Sequence, residues 1–428
     1  MEPDTITILV IAALMLFHLA IGVPLFVVLG LGSMAMILGL DVYSITVFGE
    51  VPFSAIDSWA LLAMPLFILA GEIISRGQTA NNLVRLGEAL VGWILGGLGM
   101  ATILGCFFFA GTSGSSSADT ITIGRIMVPA MKKRGYQTSY AASLAASGGI
   151  LGVIVPPSLI FIIYGVATST SIGDLFLGGV FPGLILALAM CIANYFVCKH
   201  TDWGVPESGK FSLQEVGASL WHAKFGLGAP VIILGGIYSG IFTPTEAAGI
   251  AVAYVSIVEI FIHRSFGFSE LIKAFQRAAI VTGMLAPIIA FSVLFGEVLA
   301  ILRVPSDLVT FFLDLSVGYV GSVALIILVL LIVGSILEPI AAILVVMPIL
   351  LPIGVELGFE PVHFGVFVVC TLAVGFITPP VGINLFAASA VSGEPFINIA
   401  VKATPAFFAL ISGIIVIAAF PSIVLWFR

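Results

Sequence analysis

The sequence predicts an all-α polytopic membrane protein built as an inverted-topology repeat, with two re-entrant helical hairpins and two broken helices. Three observations lead there. The 428 residues are 60% hydrophobic and 9% charged, with a mean hydropathy of +1.25, against roughly 25% charged in an ordinary soluble domain. Apolar runs recur from end to end, and a spanning helix needs about 20 such residues. The chain also matches itself without a gap when shifted by 223 residues. That shift lays Gly111 on Gly334, Pro129 on Pro352, Gly135 on Gly358, Gly152 on Gly375, Pro156-Pro157 on Pro379-Pro380, Ala167 on Ala390 and Pro182 on Pro405.

In order, the runs cover 5–22, 23–40, 59–75, 94–111, 115–131, 140–168, 176–198, 225–242, 245–263, 280–302, 319–337, 339–355, 362–392 and 404–427. The first is a retained span and not a cleavable signal, because Met1-Glu-Pro-Asp-Thr supplies no basic residue ahead of Ile6–Phe17. Two pairs differ from ordinary spans. The runs 94–111 and 115–131 meet at Gly111-Thr-Ser-Gly-Ser-Ser-Ser117, and 319–337 and 339–355 meet around Gly334-Ser-Ile-Leu-Glu-Pro339. A polar link between apolar arms reads as a hairpin tip, tolerable only inside protein or beside water.

Charge supports that reading. With the N-terminus outside, both pairs as hairpins and the other ten runs crossing, 12 basic residues face the cytoplasm: Arg76, Arg85, Lys132, Lys133, Arg134, Lys199, Lys210, Lys224, Arg264, Lys273, Arg277 and Lys402. Only Arg303 and Arg428 face outward, and Arg125 lies within the first hairpin. The positive-inside rule favours this arrangement, which puts both termini outside. The first hairpin then enters from the cytoplasm and the second from outside, so the repeat is inverted. Secondary transporters are built this way, with substrate and ion sites at mid-depth on broken helices.

Each half carries a second break, Gly152-Val-Ile-Val-Pro-Pro157 and Gly375-Phe-Ile-Thr-Pro-Pro380. Paired prolines remove backbone donors and clash with the preceding turn, so the runs should split near Val155 and Thr378. The freed carbonyls suit a hard cation such as sodium, and the resuming half-helix N-termini suit a carboxylate. Four units follow: spans and scaffold arm 1–93, a first transport repeat 94–198, scaffold spans 199–318 and a second transport repeat 319–428. Asn81–Glu88 and Ser269–Arg277 read as amphipathic helices in the membrane plane.

Ionisable groups inside the runs are the remaining site candidates. Glu338 sits at the second tip, opposite Ser115 in the repeat. Asp119 and Arg125 are six residues apart, roughly 600° of helix rotation, so each needs a partner elsewhere. Glu72 and Glu297 read as interface charges. Other chemistries are poorly served. Gly204-Val-Pro-Glu-Ser-Gly-Lys210 has Phe211 where a nucleotide-binding loop needs Ser or Thr. Cys106, Cys191, Cys198 and Cys370 form no CxxC pair. The net charge of −7 excludes a basic nucleic-acid face. Gly111-x-Ser113-Gly114 resembles a rhomboid-type protease motif, with His363 as its one candidate base. A channel is the other alternative, but it would want a continuous polar lining.

With these residues assembled, the chain resembles the large membrane (M, DctM-like) subunit of TRAP transporters, the tripartite ATP-independent periplasmic family. The resemblance covers nearly the whole chain. It rests on Gly111-Thr-Ser-Gly-Ser-Ser-Ser-Ala-Asp119, Gly152-Val-Ile-Val-Pro-Pro-Ser158, Leu-Glu-Pro339 and Gly375-Phe-Ile-Thr-Pro-Pro380. It implies an elevator mechanism in the bacterial inner membrane and uptake coupled to two or more sodium ions, with no nucleotide. It also implies a periplasmic (P-type) binding protein that delivers an organic acid. A small (Q-type) membrane subunit is expected as a separate polypeptide, since the chain begins at its first M-type span. By position, one sodium site lies between the first tip (Gly111, Ser113, Ser115) and the first break (Gly152, Val155, Pro156). The other lies between Gly334 and the Gly375–Thr378 break. The substrate sits between the tips on Ser113, Ser158 and either Glu338 or Arg125. The tip acid is Asp in many relatives and Glu here. The sequence is most similar to sialic acid members, with a C4-dicarboxylate as the other substrate expected.

Overall fold

The computed structural model describes residues 3–201, 203–205, 211–265, 267–314 and 317–428, and among them all regular structure is helical. Helices α1 (Pro3–Ala20) and α2 (Leu25–Leu40) form the first antiparallel pair; α3 (Val47–Ile56) is short, and a tight turn at Trp59–Leu62 leads into α4 (Ala63–Arg76) and α5 (Thr79–Val91). The first repeat holds α6 (Gly97–Ser113), α7 (Ser116–Lys133), α8 (Thr138–Gly149), α9 (Leu159–Thr168) and α10 (Ile172–His200). Between the repeats run α11 (Leu213–Tyr238), α12 (Pro244–Ile257, continued by a π turn at Val258–Ile262), α13 (Phe268–Ile301) and α14 (Val304–Asp314). The second repeat holds α15 (Gly318–Ile336), α16 (Pro339–Glu356), α17 (Pro361–Gly375), α18 (Ile383–Ser392) and α19 (Phe396–Ala419), then a last turn α20 (Pro421–Val424).

The two repeats share one element order: hairpin, helix, proline break, helix, long helix. Five crossings separate the hairpins (the α8–α9 pair, α10, α11, α12 and α13), so the second enters from the side opposite the first. Eight helices among the described residues are long and apolar enough to span a bilayer, including both arms of the second hairpin. The broken runs are not among them, because each proline pair divides a crossing into two shorter helices.

Small residues explain how the centre packs. From Ser139 to Gly149 every residue of α8 is buried, as is Val362–Gly375 of α17. Helix α8, rich in Ala, Ser and Gly, approaches its neighbours closely, which drives association where no water is displaced, whereas α17 fills its buried surface chiefly with Val and Phe. A separate apolar cluster joins Ile11, Leu29, Met36 and Ile37 of α1 and α2 to Leu294, Phe295, Val298 and Leu299 of α13.

Several elements depart from the expected boundaries. Ser269–Arg277 is not a separate membrane-plane helix; it is the start of α13, a continuous helix of 34 residues. Ala278-Ala279-Ile280 contains no breaker, so the helix propagates, to about 51 Å at 1.5 Å per residue. Helix α11 begins at Leu213, where Ser212 Oγ accepts from the Glu215 N–H at 3.3 Å. Helix α19 starts at Phe396 and stops at Ala419 ahead of Pro421. The short helices α3 and α14 were not foreseen. Residues 206–210, which include Lys210 and most of the failed nucleotide motif, lie outside the described residues.

Asn81–Glu88 is helical within α5, but its apolar side (Leu83, Val84, Leu86) is buried in protein, with α5 packed on α6 and α11. Its N-terminus is held by Glu259, a fully buried carboxylate on the π turn of α12. Glu259 accepts from the N–H groups of Gln78 at 3.1 Å and Thr79 at 3.3 Å, and from the hydroxyls of Thr79 and Ser265. Arg428 bridges the repeats: its guanidinium meets Asp174 of α10 at 2.7 Å and Glu360, the cap of α17, at 2.6 Å. Those hydrogen bonds, Asp174's first and then Glu360's, raise its affinity for its proton further. Glu72 is a surface charge paired with Arg76 at 3.3 Å.

Candidate cation and substrate site

Helix α6 ends at Ser113 because Gly114 adopts a left-handed conformation (φ +62°), and α7 restarts at Ser116. Gly114 is also a close-approach glycine: a Cβ there would stand 3.0 Å from the Pro157 carbonyl. Gly152 fits equally tightly, since a Cβ on it would meet the Asp119 carboxylate and stand 2.8 Å from the Ser115 carbonyl. The first tip and the first proline break are therefore in contact, with two glycines at the seam. The tip also touches the surrounding helices. A Cβ on Gly71 of α4 would be 2.7 Å from the Ser113 carbonyl, and one on Gly111 would be 3.2 Å from Pro230 of α11.

Asp119 lies at this seam, fully buried in the first turn of α7. The Ser113 hydroxyl donates to its Oδ1, while Oδ2 has no hydrogen-bond partner. A buried carboxylate oxygen without a donor is costly, and here its neighbours are the carbonyl of Ser115 and the backbone of Gly152. One formal negative charge among neutral oxygens is a donor set for a hard monovalent cation. The repeat pattern did not mark Asp119, because its counterpart in the second half is Ala342.

The second seam has the same geometry without that charge. A Cβ on Gly375 would stand 2.7 Å from Gly334 Cα, and one on Gly334 would stand 2.5 Å from the Leu372 carbonyl. The break folds over the second tip, where the Ser335 carbonyl accepts from the N–H groups of Val381 at 3.2 Å and Gly382 at 3.1 Å. Thr378 Oγ1 donates to the Val374 carbonyl at 2.9 Å. Its proton committed, that hydroxyl keeps lone pairs free, as a cation ligand must.

The two tips converge. One small cavity, about 70 Å³, is bordered by Ser115, Ser116 and Ser117 of the first tip and by Glu338 and Ile340 of the second. Such a space holds a few waters, with residues of both tips on its walls. Their helix N-termini differ. Glu338 caps α16, its Oε2 accepting from the N–H groups of Ile340 at 3.1 Å and Ala341 at 3.3 Å. No side chain caps α7, which leaves its first-turn N–H groups available to an anion. Ser115 and Ser117 are half-exposed here. Asn384 of α18 ties the halves together: its Nδ2 donates to Ser116 Oγ at 2.7 Å and to the Ala146 carbonyl at 3.0 Å.

The other expected residues are held as follows. Ser158 is fully buried and caps α9; its Oγ donates to the Val153 carbonyl at 2.6 Å and accepts from the Phe161 N–H at 3.4 Å. Ser113 is engaged by Asp119. Arg125 is exposed on α7, nine residues or about 14 Å of helix rise past Ser116, and pairs with neither Asp119 nor Glu338 among the described residues. Val155 and Pro156 lie in the break between Val153 and α9, with Val155 buried and its N–H bonded to the Leu151 carbonyl at 2.8 Å. His363 stands in the first turn of α17, where its Nε2 meets the Ile417 carbonyl at 2.8 Å. It does not meet Ser113, and no Ser–His side-chain pair occurs among the described residues.

Residues 9–423 match the family model described as the DctM component of the tripartite ATP-independent periplasmic transporter. The chain is 38% identical over 371 residues to the C4-dicarboxylate TRAP transporter large permease protein DctM of Pseudomonas aeruginosa, covering 87% of this chain and 86% of that one. It is 36% identical over 409 residues to the isethionate TRAP transporter permease protein DctMQ of Oleidesulfovibrio alaskensis, covering 96% of this chain and spanning 64% of that protein's length. To the sialic acid TRAP transporter large permease protein SiaM of Vibrio cholerae it is 33% identical over 370 residues, 86% of each. Among solved structures it shares the fold of the Alcanivorax borkumensis YdaH transporter, with a TM-score of 0.61 at 14% identity over 88% of this chain and 87% of that one.

Proposed function

The chain belongs to the DctM-component family of tripartite ATP-independent periplasmic transporters, and from that premise we propose that it imports an organic acid across the bacterial inner membrane, driven by sodium. It is a permease subunit and not an enzyme. The observation that carries sodium coupling is Asp119 Oδ2, buried without a donor where the first tip meets the first break. The first sodium sits there, with Gly111, Ser115, Gly152, Val155 and Pro156 supplying backbone oxygens. The second sits at Gly334, Gly375 and Thr378, on neutral oxygens alone.

The substrate carboxylate docks between the tips, on the uncapped N-terminus of α7 and the hydroxyls of Ser115 and Ser117. Glu338 faces the substrate's other end. The relatives are named for C4-dicarboxylate, isethionate and sialic acid, so identity alone does not select sialic acid. Delivery comes from a periplasmic binding protein, and a small membrane subunit completes the scaffold. That subunit is a separate polypeptide or a fused one, as the name DctMQ indicates for the isethionate relative. The two repeats move as an elevator against α1–α5 and α11–α14.

Uptake by proteoliposomes, with each candidate acid presented on its binding protein, tests this. Accumulation should require an inward sodium gradient and no nucleotide. Uptake that is unchanged when the sodium gradient is dissipated at fixed proton gradient would reject the coupling.

A further inference from the structure

The two seams lie in different repeats, and one side chain joins them. Asn384 is the second residue of α18, just past the second proline break, and it is fully buried. Its backbone N–H donates to the Phe376 carbonyl at 3.1 Å, inside the Gly375–Thr378 break. The fold of that break therefore sets where Asn384 stands. Its side chain reaches into the other repeat. Both hydrogens of Nδ2 are spent there, on Ser116 Oγ at 2.7 Å and on the Ala146 carbonyl of α8 at 3.0 Å, while the Ser116 hydroxyl lies 3.0 Å from Oδ1 and donates to it. Ser116 opens α7. The residue before it is Ser115, whose carbonyl stands at the first seam, 2.8 Å from where a Cβ on Gly152 would lie. The rest of α18 also packs into the first repeat: a Cβ on Gly124 of α7 would lie 3.5 Å from Val391 of α18 and 3.5 Å from Ala145 of α8.

A buried amide with its donors matched specifies one arrangement of the groups it joins, because any other leaves a donor unpaired. Asn384 thus fixes the start of α7 relative to the second break. The link runs one way only: Asn384 falls on Phe161 in the repeat, so the first break sends no equivalent polar side chain to the second tip. We propose that Asn384 couples the two sodium sites, so that an ion at the second seam raises the affinity of the first. This rests on the sodium-driven reading above and adds to it a positioning residue that ligates neither ion. Sodium at Gly334, Gly375 and Thr378 fixes the second break. The fixed break holds the amide against Ser116, and the Ser115 carbonyl and Asp119 are then kept in their ligating arrangement. A break loosened by an empty second site withdraws that support. By linkage, the first ion assists the second to the same degree.

Thiol labelling of the purified permease, with any membrane subunit that co-purifies, tests this without transport. The reporter is Ser117→Cys, half-exposed on the wall of the cavity between the tips, and the four native cysteines are buried. Sodium is titrated against choline at constant ionic strength, with no substrate present. Two equal sites coupled by about 5–150-fold give a Hill coefficient of about 1.4–1.9. Asn384→Ala and Asn384→Leu should bring it to about one and raise the midpoint about two- to twelvefold, the square root of the lost coupling. Ser116→Ala should act in the same direction, and N384A/S116A should add nothing to Asn384→Ala. Ser143→Ala removes a buried α8 hydroxyl bonded within its own helix, and it should keep the parent slope. Labelling of the parent that ignores sodium refutes the sodium reading itself, and the coupling with it. The coupling alone is overturned by a parent slope of one, by Asn384 variants that keep the parent slope, or by equal loss in Ser143→Ala. Should the Asn384 variants fail to purify, the slope of Ser116→Ala decides.

Discussion

At the first seam, one oxygen of Asp119 is bonded by Ser113 and the other is buried beside Gly152 without a donor. Charge buried in this way is destabilising until a cation arrives. Asp119→Asn keeps the shape and removes the charge. Losing a charged partner costs about 1.5–3 kcal/mol, or roughly ten- to a hundredfold in the sodium concentration for half-maximal uptake. A sodium titration of uptake reads this directly, and an unmoved midpoint would exclude Asp119 as a ligand. Thr378→Ala should shift the same midpoint less, since it removes one neutral oxygen, but more than Val155→Ala, which removes none. Ser158 separates a cap from a contact. Its hydroxyl is spent on Val153 and Phe161, so Ser158→Ala should lower stability by about 1 kcal/mol, the usual loss for an N-cap. A thermal melt should register that while the substrate concentration for half-maximal uptake stays put. Ser115→Ala and Ser117→Ala should do the reverse.

Among the elements, the glycines at the seams decide how close a tip and a break can come. Gly152→Ala and Gly375→Ala each place a methyl group against backbone that cannot retreat, so both should abolish sodium-dependent uptake. Gly249→Ala, in an open part of α12 with nothing within 4 Å, should be silent in the same assay; equal damage from all three would mean the seams are not special. These seams were legible in the sequence because glycine and proline act locally and leave a periodic mark, 223 residues apart. The hairpins and both breaks follow from that mark. Asp119's unpartnered oxygen, the cap made by Ser158 and the cross-repeat contact of Asn384 do not. Each depends on which side chain meets which across a fold, and Asp119, Ser158 and Asn384 stand opposite Ala342, Val381 and Phe161 in the repeat. Helix limits fared worst where no breaker marks them. Apolarity stops near residue 280, yet α13 runs on through Ala278-Ala279 to Phe268.

For the molecule as a whole, the elevator reading requires the second hairpin to slide along α13, and that contact can be locked. Gly296 of α13 faces Pro348 of α16; a Cβ on Gly296 would lie 3.7 Å from Pro348 Cβ. That separation falls within the range of disulfide-bonded cysteines, about 3.5–4.5 Å. The four native cysteines are buried, so G296C/P348C can be oxidised selectively. Neither position belongs to the cation seams or to the cavity between the tips. Oxidation should therefore stop uptake by fixing α13 against α16, and a reducing agent should restore it. Substrate binding by the arrested permease should persist, because the tips and breaks lie wholly within the two repeats. Each single variant controls for loss of packing and should transport whether oxidised or reduced. Full uptake with the crosslink quantitatively formed would mean that α13 and α16 keep their register throughout the cycle. Access would then have to change by local opening of a hairpin, with the repeats at rest.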